Sequence, residues 1–339
     1  MNSLGKNFVF TSFGESHGRA IGGVLDGVPA GVHIDLHVIR QALDKRAGRL
    51  APSLEDGCAY SLEVKGEGVS PRAKHEKDEV EWLSGVLDGI SLGTPIAFII
   101  RNADARSQDY DWLKHTYRPG HADKTYQEKY GIRDHRGGGR ASARETASRV
   151  VAGAVAQQLL AEKNIQISAQ LIQVGTETNP DNFAQYIAEI QKEGDSIGGI
   201  IECTITGLPV GVGEPIFDKL QSHLAYAMLS INACKGFEYG SGFSGVALKG
   251  SEMYLSDDPQ LISGGIAGGI SDGNPIVFRC VFKPTASNRK TLEALHSTLN
   301  PQLSTFKLGR HDACVAVRAV AVVEAMAALV LQDFLISEM

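Results

Sequence analysis

Residues that could perform chemistry lie beside glycines in several short segments of the chain. The first segment is Gly14-Glu15-Ser16-His17-Gly18. Histidine exchanges protons near neutral pH, so His17 on a glycine-flanked loop could present its imidazole to a ligand. The same residues match the G-x-S-x-G pattern of hydrolases, which makes Ser16 an alternative nucleophile. Only one short predicted strand precedes Ser16, whereas that pattern normally follows several strands, and we therefore favour the histidine.

Three further segments concentrate arginine and histidine. Residues 118–123 are Arg-Pro-Gly-His-Ala-Asp, and residues 133–145 contain four arginines and three consecutive glycines. Guanidinium groups bind anions, and so do the backbone N–H groups at a helix N-terminus such as the one predicted at Ser142. The last segment, residues 309–312, is Gly-Arg-His-Asp and could hold an anion and move a proton. Together these segments indicate a site for a small metabolite with several negative charges.

The composition argues against several other functions. The chain of 339 residues has 33 Lys and Arg against 39 Asp and Glu, a net charge of −6, which is unlike a nucleic-acid-binding protein. It contains no P-loop pattern and no zinc-ligand spacing, so we predict no metal site. Its five widely separated cysteines are typical of reduced thiols in a cytoplasmic protein. No signal peptide is visible, and charged residues interrupt the most apolar stretch, 313–336, so we expect no membrane span.

Hydrophobic periodicity predicts strands and helices without a regular alternation, which favours an α+β fold over a doubly wound sheet. The clearest helix begins at Ser142, which has the capping-box spacing to Glu145. Residues 240–245 match G-x-G-x-x-G, but residues 246–250 after them have a strand pattern, whereas a dinucleotide site needs a helix there. No repeat is obvious along the chain. The predicted strands are 7–12, 20–26, 95–101, 165–174, 197–206 and 275–283, and the other predicted helices are 34–46, 216–231 and 322–336.

Longer runs of the sequence resemble the chorismate synthase family over essentially the whole chain. The resemblance implies a single domain, residues 1–339, with the β-α-β sandwich of the chorismate synthase type, an α+β fold with helices packed between antiparallel sheets. The matching runs, in family order, include GESHG at 14–18, RSQDY at 106–110, YRPGHAD at 117–123, KYGIRDHRGGGRASARET at 129–146, MLSINACKG at 228–236, SGGIAGGIS at 263–271, KPTAS at 283–287 and GRHDACVAVRAV at 309–320.

The resemblance also implies an activity. Family members are lyases of the shikimate pathway that convert 5-enolpyruvylshikimate 3-phosphate to chorismate and phosphate by a 1,4-anti elimination. They require reduced FMN, although the reaction has no net redox change, and they are usually homotetramers. Some members reduce flavin themselves with NADPH and others depend on a separate enzyme. Because no convincing NADPH motif is present, we expect an external flavin reductase.

The resemblance assigns roles to individual residues. His121 would be the acid that helps phosphate leave, His17 would protonate or stabilise reduced flavin, and Asp312 would take part in removing the C6 proton of the substrate. Substrate or flavin anions would be held by Arg46, Arg49, Arg118 and Arg140. Flavin contacts would come from Arg140, Ala141, Ser142, Asn232, Ala233, Gly268, Lys283, Pro284, Thr285, Ala286, Ser287 and Arg310.

Two departures from the family pattern bear on the flavin contacts. Ala141 stands where the family usually has serine, and Leu261-Ile262 stand where an Asn-His pair usually precedes the SGG loop. Both histidines and the GRHD segment are retained, so we expect an active enzyme. A non-catalytic protein that binds flavin or an anionic metabolite is the second alternative, beside a serine hydrolase.

Overall fold

Two antiparallel β-sheets form the outer layers of the molecule, of which the computed structural model describes residues 1–48, 77–103, 107–299 and 312–336. The first sheet has the spatial order β1 (Ser3–Leu4), β2 (Val9–Phe13), β3 (Ala20–Asp26), β7 (Ile96–Arg101) and β4 (Val80–Ser84). The second has the order β10 (Cys234–Tyr239), β13 (Ile276–Phe282), β9 (Gly199–Thr206) and β8 (Gln166–Val174). Two short hairpins pair β5 (Val86–Leu87) with β6 (Ile90–Ser91) and β11 (Ile266–Ala267) with β12 (Ile270–Ser271).

Helices fill the space between the two sheets. They are α1 (Leu36–Arg46), α3 (Thr146–Glu162), α5 (Leu220–Leu229) and α9 (Ala316–Ile336). Helix α3 packs on β2 and β3 of the first sheet, and α9 packs on β8 and β9 of the second. The other helices of the described residues are α2 (Asp123–Tyr130), α4 (Pro180–Lys192), α6 (Gly250–Tyr254), α7 (Pro259–Ile262) and α8 (Arg289–Leu299). The expected α+β sandwich, with helices between antiparallel sheets, is confirmed.

The two central helices, α3 and α9, touch each other along small residues. A Cβ added at Gly153 would lie only 2.3 Å from the Cβ of Ala325, so the two backbones approach as closely as a glycine allows. Helix α9 is long and apolar enough to cross a membrane, but 89% of its apolar window is buried inside the molecule. A helix that is apolar on all sides is expected in such a core, and burial between the sheets accounts for this sequence.

The architecture is duplicated within the chain, contrary to the expectation that no repeat is present. Residues 27–32 (GVPAGV) and 207–212 (GLPVGV) lie 180 positions apart and occupy equivalent turns, after β3 and after β9. Ser91 Oγ donates to the carbonyl of Pro29 at 2.5 Å, and Ser271 Oγ donates to that of Pro209 at the same distance. The backbone hydrogen bonds of the two turns also correspond, since Gly31 N–H donates to the carbonyl of Ser91 at 2.8 Å and Gly211 N–H donates to that of Ser271 at 3.0 Å.

Most predicted elements are confirmed with small shifts at their ends. The strand predicted at 246–250 is wrong, because a 3₁₀ helix (Gly242–Ala247) and α6 occupy that part of the chain. A short apolar run does not by itself distinguish strand from helix. The capping box is also wrong, since Ser142 Oγ accepts from the N–H of Arg144 and caps a 3₁₀ turn, Ala143–Glu145, one turn before α3. The Glu145 carboxylate instead pairs with Arg149 at 2.8 Å.

Asp333 of α9 fastens the N-terminal segment to the helix layer. Its buried carboxylate accepts hydrogen bonds from the backbone N–H groups of Lys6, Asn7 and Phe8, at 2.8, 2.6 and 2.8 Å. These residues lead directly into β2, so the carboxylate sets the position of the first sheet's N-terminal edge.

We expect Asp333→Ala to lower the free energy of unfolding by about 3 kcal/mol, because each buried donor left without an acceptor costs about 1–3 kcal/mol. Urea denaturation measures the change, and Asp257→Ala, at an exposed aspartate, is the control. Equal unfolding midpoints for the two variants would show that Asp333 does not fasten this segment.

Candidate active site

A cavity of about 710 Å³ collects most of the residues predicted to act on ligands. Gly268 is not among its lining residues. It lies in the β11–β12 hairpin, where the carbonyl of Gly269 accepts from the N–H of Leu220 at the first residue of α5. The cavity lies at the other end of that helix, beside Asn232 and Ala233. Arg49 and Arg310 lie outside the described residues. The predicted residues that do line the cavity are His17, Arg46, Arg118, His121, Arg140, Ala141, Ser142, Asn232, Ala233, Lys283, Pro284, Thr285, Ala286, Ser287 and Asp312.

The cavity carries a strong excess of positive charge in a chain whose net charge is −6. Among the residues that the structure describes, eight Lys and Arg side chains line it against two carboxylates, those of Glu145 and Asp312. Lys283 and Lys235 are both in the lining, and the pKa of Lys283 is lowered first by burial and then by the charge of Lys235. Because the described part of the cavity gathers cations from many segments, it suits a ligand with several negative charges.

Asp123 holds Arg118 and His121 together on one wall. Its carboxylate accepts from Arg118 Nε at 2.8 Å and Arg118 Nη2 at 2.9 Å, and it lies 3.0 Å from His121 Nδ1. Burial raises the pKa of Asp123, but hydrogen bonds from Arg118 and His121 outweigh burial and keep that pKa well below its usual range. Asp123 is therefore a carboxylate that accepts from both cavity residues.

His17 occupies a second wall, in the loop between β2 and β3. Its Nδ1 lies 3.0 Å from Ser16 Oγ, and its ring contacts Tyr110 edge to face at a centroid distance of 4.8 Å. The loop joins two antiparallel strands, whereas a nucleophile elbow joins a strand to a helix, and Ser16 is only 1% exposed. The geometry therefore contradicts the serine hydrolase alternative.

The three consecutive glycines pass directly against both imidazoles. A Cβ at Gly137 would lie 2.1 Å from Cε1 of His17, and a Cβ at Gly138 would lie 2.7 Å from Cε1 of His121. Both glycines also have positive φ, at 62° and 89°. Residues 139–145 form two 3₁₀ turns that use several of the N–H groups expected to bind an anion. The main effect of this loop is thus to let the two histidines approach the same stretch of backbone.

A buried aspartate also orients the arginines at the base of the cavity. Asp78 accepts from Arg144 and lies 3.6 Å from Arg46 Nη1. Arg46 also donates to Thr146 Oγ1 at 2.9 Å and to the carbonyl of Ala143 at 2.8 Å. Arg46 is 1% exposed and lines the cavity. Neutralisation by Asp78 allows two guanidinium groups to lie close together in the interior.

The predicted flavin contacts that line the cavity, residues 140–142, 232–233 and 283–287, include two buried polar atoms that are available to a ligand. Asn232 Nδ2 donates to the carbonyl of Ala141 at 3.1 Å, which joins two of the predicted segments. Asn232 Oδ1 and Thr285 Oγ1 are buried, and neither has a hydrogen-bond partner among the described residues. Ala233 has a positive φ of 68°, which turns the chain sharply after α5. Buried polar atoms normally find partners, so these two fit a ligand with polar edges.

Arg140 and Asp312 reach the cavity from different segments of the chain. Arg140 Nη1 donates to the carbonyl of Gly14 at 3.2 Å, and Arg140 Nη2 donates to Ser12. These bonds connect the glycine loop to the end of β2. Asp312 Oδ1 accepts from Arg318 Nη2 of α9 at 2.5 Å. A carboxylate so placed beside an arginine could either hold that arginine or exchange a proton with a ligand.

Sequence reasoning did not select Asp123, Asp78 or Glu145 as site residues. Asp123 stands within the RPGHAD segment, two residues after His121 and five after Arg118, and this spacing could have indicated that it contacts both. Asp78 gives no such signal, since it lies 32 positions from Arg46 and 66 from Arg144. Only the packing of the first sheet on the helix layer brings Asp78 to those side chains.

The fold and the site define an α+β sandwich enzyme with one polycationic cavity and two cavity histidines. Residues 8–336 match the protein-family description "Chorismate synthase". The chain therefore belongs to the chorismate synthase family, as its sequence resemblance implied. Members of this family are lyases of the shikimate pathway.

Similar proteins agree with this assignment. The chain is 46% identical to chorismate synthase of Christiangramia forsetii, over 98% of this chain and 97% of that protein. It is 47% identical to chorismate synthase of Flavobacterium psychrophilum, over 98% and 96%. A crystal structure of chorismate synthase superposes with a TM-score of 0.72 at 28% identity and covers 99% of this chain and 93% of that one.

We expect Gly138→Ala to lower turnover at least about 10-fold, because the added methyl group would displace the His121 ring, and acid–base groups contribute about 10²–10⁴-fold. The matched control is Gly131→Ala. Gly131 also has a positive φ, 74°, but its Cβ would meet nothing within 4 Å. Both variants carry similar backbone strain, so Gly131→Ala controls for the effect of that strain on turnover, and only Gly138→Ala adds a contact with the His121 ring. Equal turnover in the two variants would mean that the glycine loop does not position His121.

Proposed function

We propose that this chain eliminates phosphate from 5-enolpyruvylshikimate 3-phosphate to give chorismate, acting as one catalytic domain over residues 1–339. The observation that supports the proposal best is the placement of His17, His121 and eight cationic side chains around a single cavity. The substrate carries a phosphate and two carboxylates, and guanidinium groups bind such anions through paired hydrogen bonds. Arg46, Arg118 and Arg140 would hold these groups, and Arg49 is proposed for the same role from the sequence alone.

His121 is the proposed acid for the leaving phosphate. A phosphate that is protonated as its C–O bond breaks is a better leaving group, and histidine donates protons near neutral pH. Arg118 lies beside His121, with Nη2 at 3.2 Å from Nδ1, so charge neutralisation and proton donation would act on one group of the substrate. The partly buried wall around them limits water, which strengthens both effects.

The cavity wall formed by residues 140–142, 232–233 and 283–287 is proposed to hold reduced FMN. Its buried acceptor Asn232 Oδ1 and hydroxyl Thr285 Oγ1 fit the polar edge of a flavin, and Arg140 and Lys283 fit its phosphate. When bound, reduced FMN lends electron density to the substrate and takes it back. His17, placed on the neighbouring wall, would stabilise the charge of the reduced cofactor through its ring nitrogens. Arg310 is proposed as a further contact from the sequence.

We also propose a homotetramer in the cytoplasm that receives reduced flavin from an external reductase. Association of copies would cover several large apolar side chains that are highly exposed in the single chain. Gly268 remains a proposed flavin contact only if a neighbouring copy brings its own cavity to the β11–β12 hairpin. The exposed side chains are Phe217, Phe243, Val246 and Leu255.

An anaerobic assay tests the proposed function. With reduced FMN, phosphate and chorismate should appear in equal amounts, and without it neither should appear. Oxidised FMN is the control for a requirement for the reduced form. A protein that binds reduced FMN tightly but releases no phosphate would support the non-catalytic alternative and contradict the proposal.

If Asp312 relays the C6 proton, Asp312→Asn should lower turnover and leave FMN binding nearly unchanged, because an amide cannot take the proton. The deuterium isotope effect with C6-labelled substrate should rise, since proton removal becomes more rate-limiting. Asp257→Asn, at an exposed position, is the control. Weak binding with normal turnover at saturation and an unchanged isotope effect would show that Asp312 only holds Arg318.

A further inference from the structure

Asp123 is the one carboxylate, among the described residues, that contacts both Arg118 and His121. It begins α2, is only 3% exposed, and also accepts from the backbone N–H of Arg118 at 3.1 Å. Arg133 Nη1 approaches the same carboxylate at 3.6 Å. Two of these partners, Arg118 and His121, line the cavity, whereas Asp123 does not. Asp123 can therefore act on a ligand only through the residues that it holds.

The contact with Asp123 selects one form of the neutral His121 ring. A carboxylate only accepts hydrogen bonds, so a hydrogen bond across the 3.0 Å between His121 Nδ1 and Asp123 Oδ1 needs a proton on Nδ1. Arg118 Nη2 lies 3.2 Å from the same nitrogen, but it donates to Asp123 Oδ1 at the shorter distance of 2.9 Å. In the neutral ring, Nε2 is then the nitrogen without a proton. Nε2 faces the glycine loop, because a Cβ at Gly138 would lie 2.9 Å from it. The nitrogen that gains and loses protons would thus be Nε2.

The same carboxylate fixes the orientation of Arg118. Its two oxygens take Nε and Nη2 of the guanidinium group in a bidentate pair, which leaves Nη1 directed to Ser287 Oγ at 3.5 Å. A bidentate pair holds a guanidinium plane far more firmly than a single bond. Arg118 and His121 consequently form one rigid unit, in which the position of each depends on Asp123.

We propose that Asp123 is a positioning residue, which keeps the proton of neutral His121 on Nδ1 so that Nε2 serves as the acid–base atom, and which aligns Arg118 beside it. This inference rests on the proposed acid role of His121. In Asp123→Asn the side chain keeps its size but loses its charge, and its amide group can donate to the ring. The ring can then carry its proton on Nε2 instead.

The protonation form of His121 can be measured without any activity assay. In protein labelled with ¹⁵N-histidine, at a pH where the ring is neutral, two-bond proton–nitrogen spectra distinguish a protonated Nδ1 from a protonated Nε2. His121→Gln identifies the signal by its loss. We expect Nδ1–H in the unmodified protein and a shift toward Nε2–H in Asp123→Asn. Nε2–H in the unmodified protein would overturn the proposal even if the variant does not fold.

Kinetics supply the second test. Asp123→Asn should lower kcat about 10- to 100-fold, the range for lost partners that orient a functional histidine. The matched control is Glu202→Gln, which removes a carboxylate that accepts from Arg279 Nε at 2.9 Å on the second sheet, away from the cavity, and should keep normal turnover. An equal loss in both variants would overturn the proposal.

A double variant separates this inference from the proposed function. If Asp123 acts through His121, adding Asp123→Asn to the His121→Gln variant should lower kcat by a much smaller factor than Asp123→Asn does in the unmodified protein. Losses that simply multiply would overturn the positioning role. Full turnover in His121→Gln would instead remove the acid role of His121, while the protonation measurement would still show whether Asp123 sets the ring.

Discussion

Repulsion among positive charges is the constraint on which this site depends. Eight Lys and Arg side chains line one cavity, and several of them are buried. A buried cation without a partner is strongly destabilising, so such a cluster can fold only when carboxylates are placed behind it. Asp123 and Asp78 fill that position, and Glu145 pairs with Arg149 in the cavity lining itself; all three carboxylates are nearly inaccessible to solvent. They compensate part of the charge while leaving cationic groups turned toward the cavity.

The two halves of the duplicated fold contribute differently to this site. The two halves share their sheet order and their serine-braced turns, but their loops differ. The loop between β2 and β3 is short and carries Ser16 and His17, whereas the equivalent connection from β8 to β9 contains α4. That second connection braces the cavity wall, since Ser196 Oγ donates to the carbonyl of Thr285 at 2.8 Å. One half therefore presents a histidine and the other supports a ligand-facing wall.

The second requirement of this site is that the backbone passes close to the two imidazole rings, which glycine residues permit. Gly137 and Gly138 pass so near to His17 and His121 that any side chain would overlap an imidazole. The glycine loop was expected from the sequence to offer N–H groups to an anion. In the structure the effect of the loop is mainly steric, because Gly137 and Gly138 let His17 and His121 contact consecutive backbone positions. The same loop is tied to β2 through Arg140.

The sequence alone predicted the main strands and helices, the family, and most of the residues around the cavity, but not elements such as β10 and α4. Those features depend on local periodicity and on short motifs such as RPGHAD, which neighbouring residues encode. Tertiary structure decided which charges meet. Asp78 reaches Arg144 across 66 positions only because a sheet packs on the helix layer, and Gly268 lies away from the cavity although its segment resembles a flavin contact. Charge pairing and steric fit depend on distances in space, which no local pattern specifies.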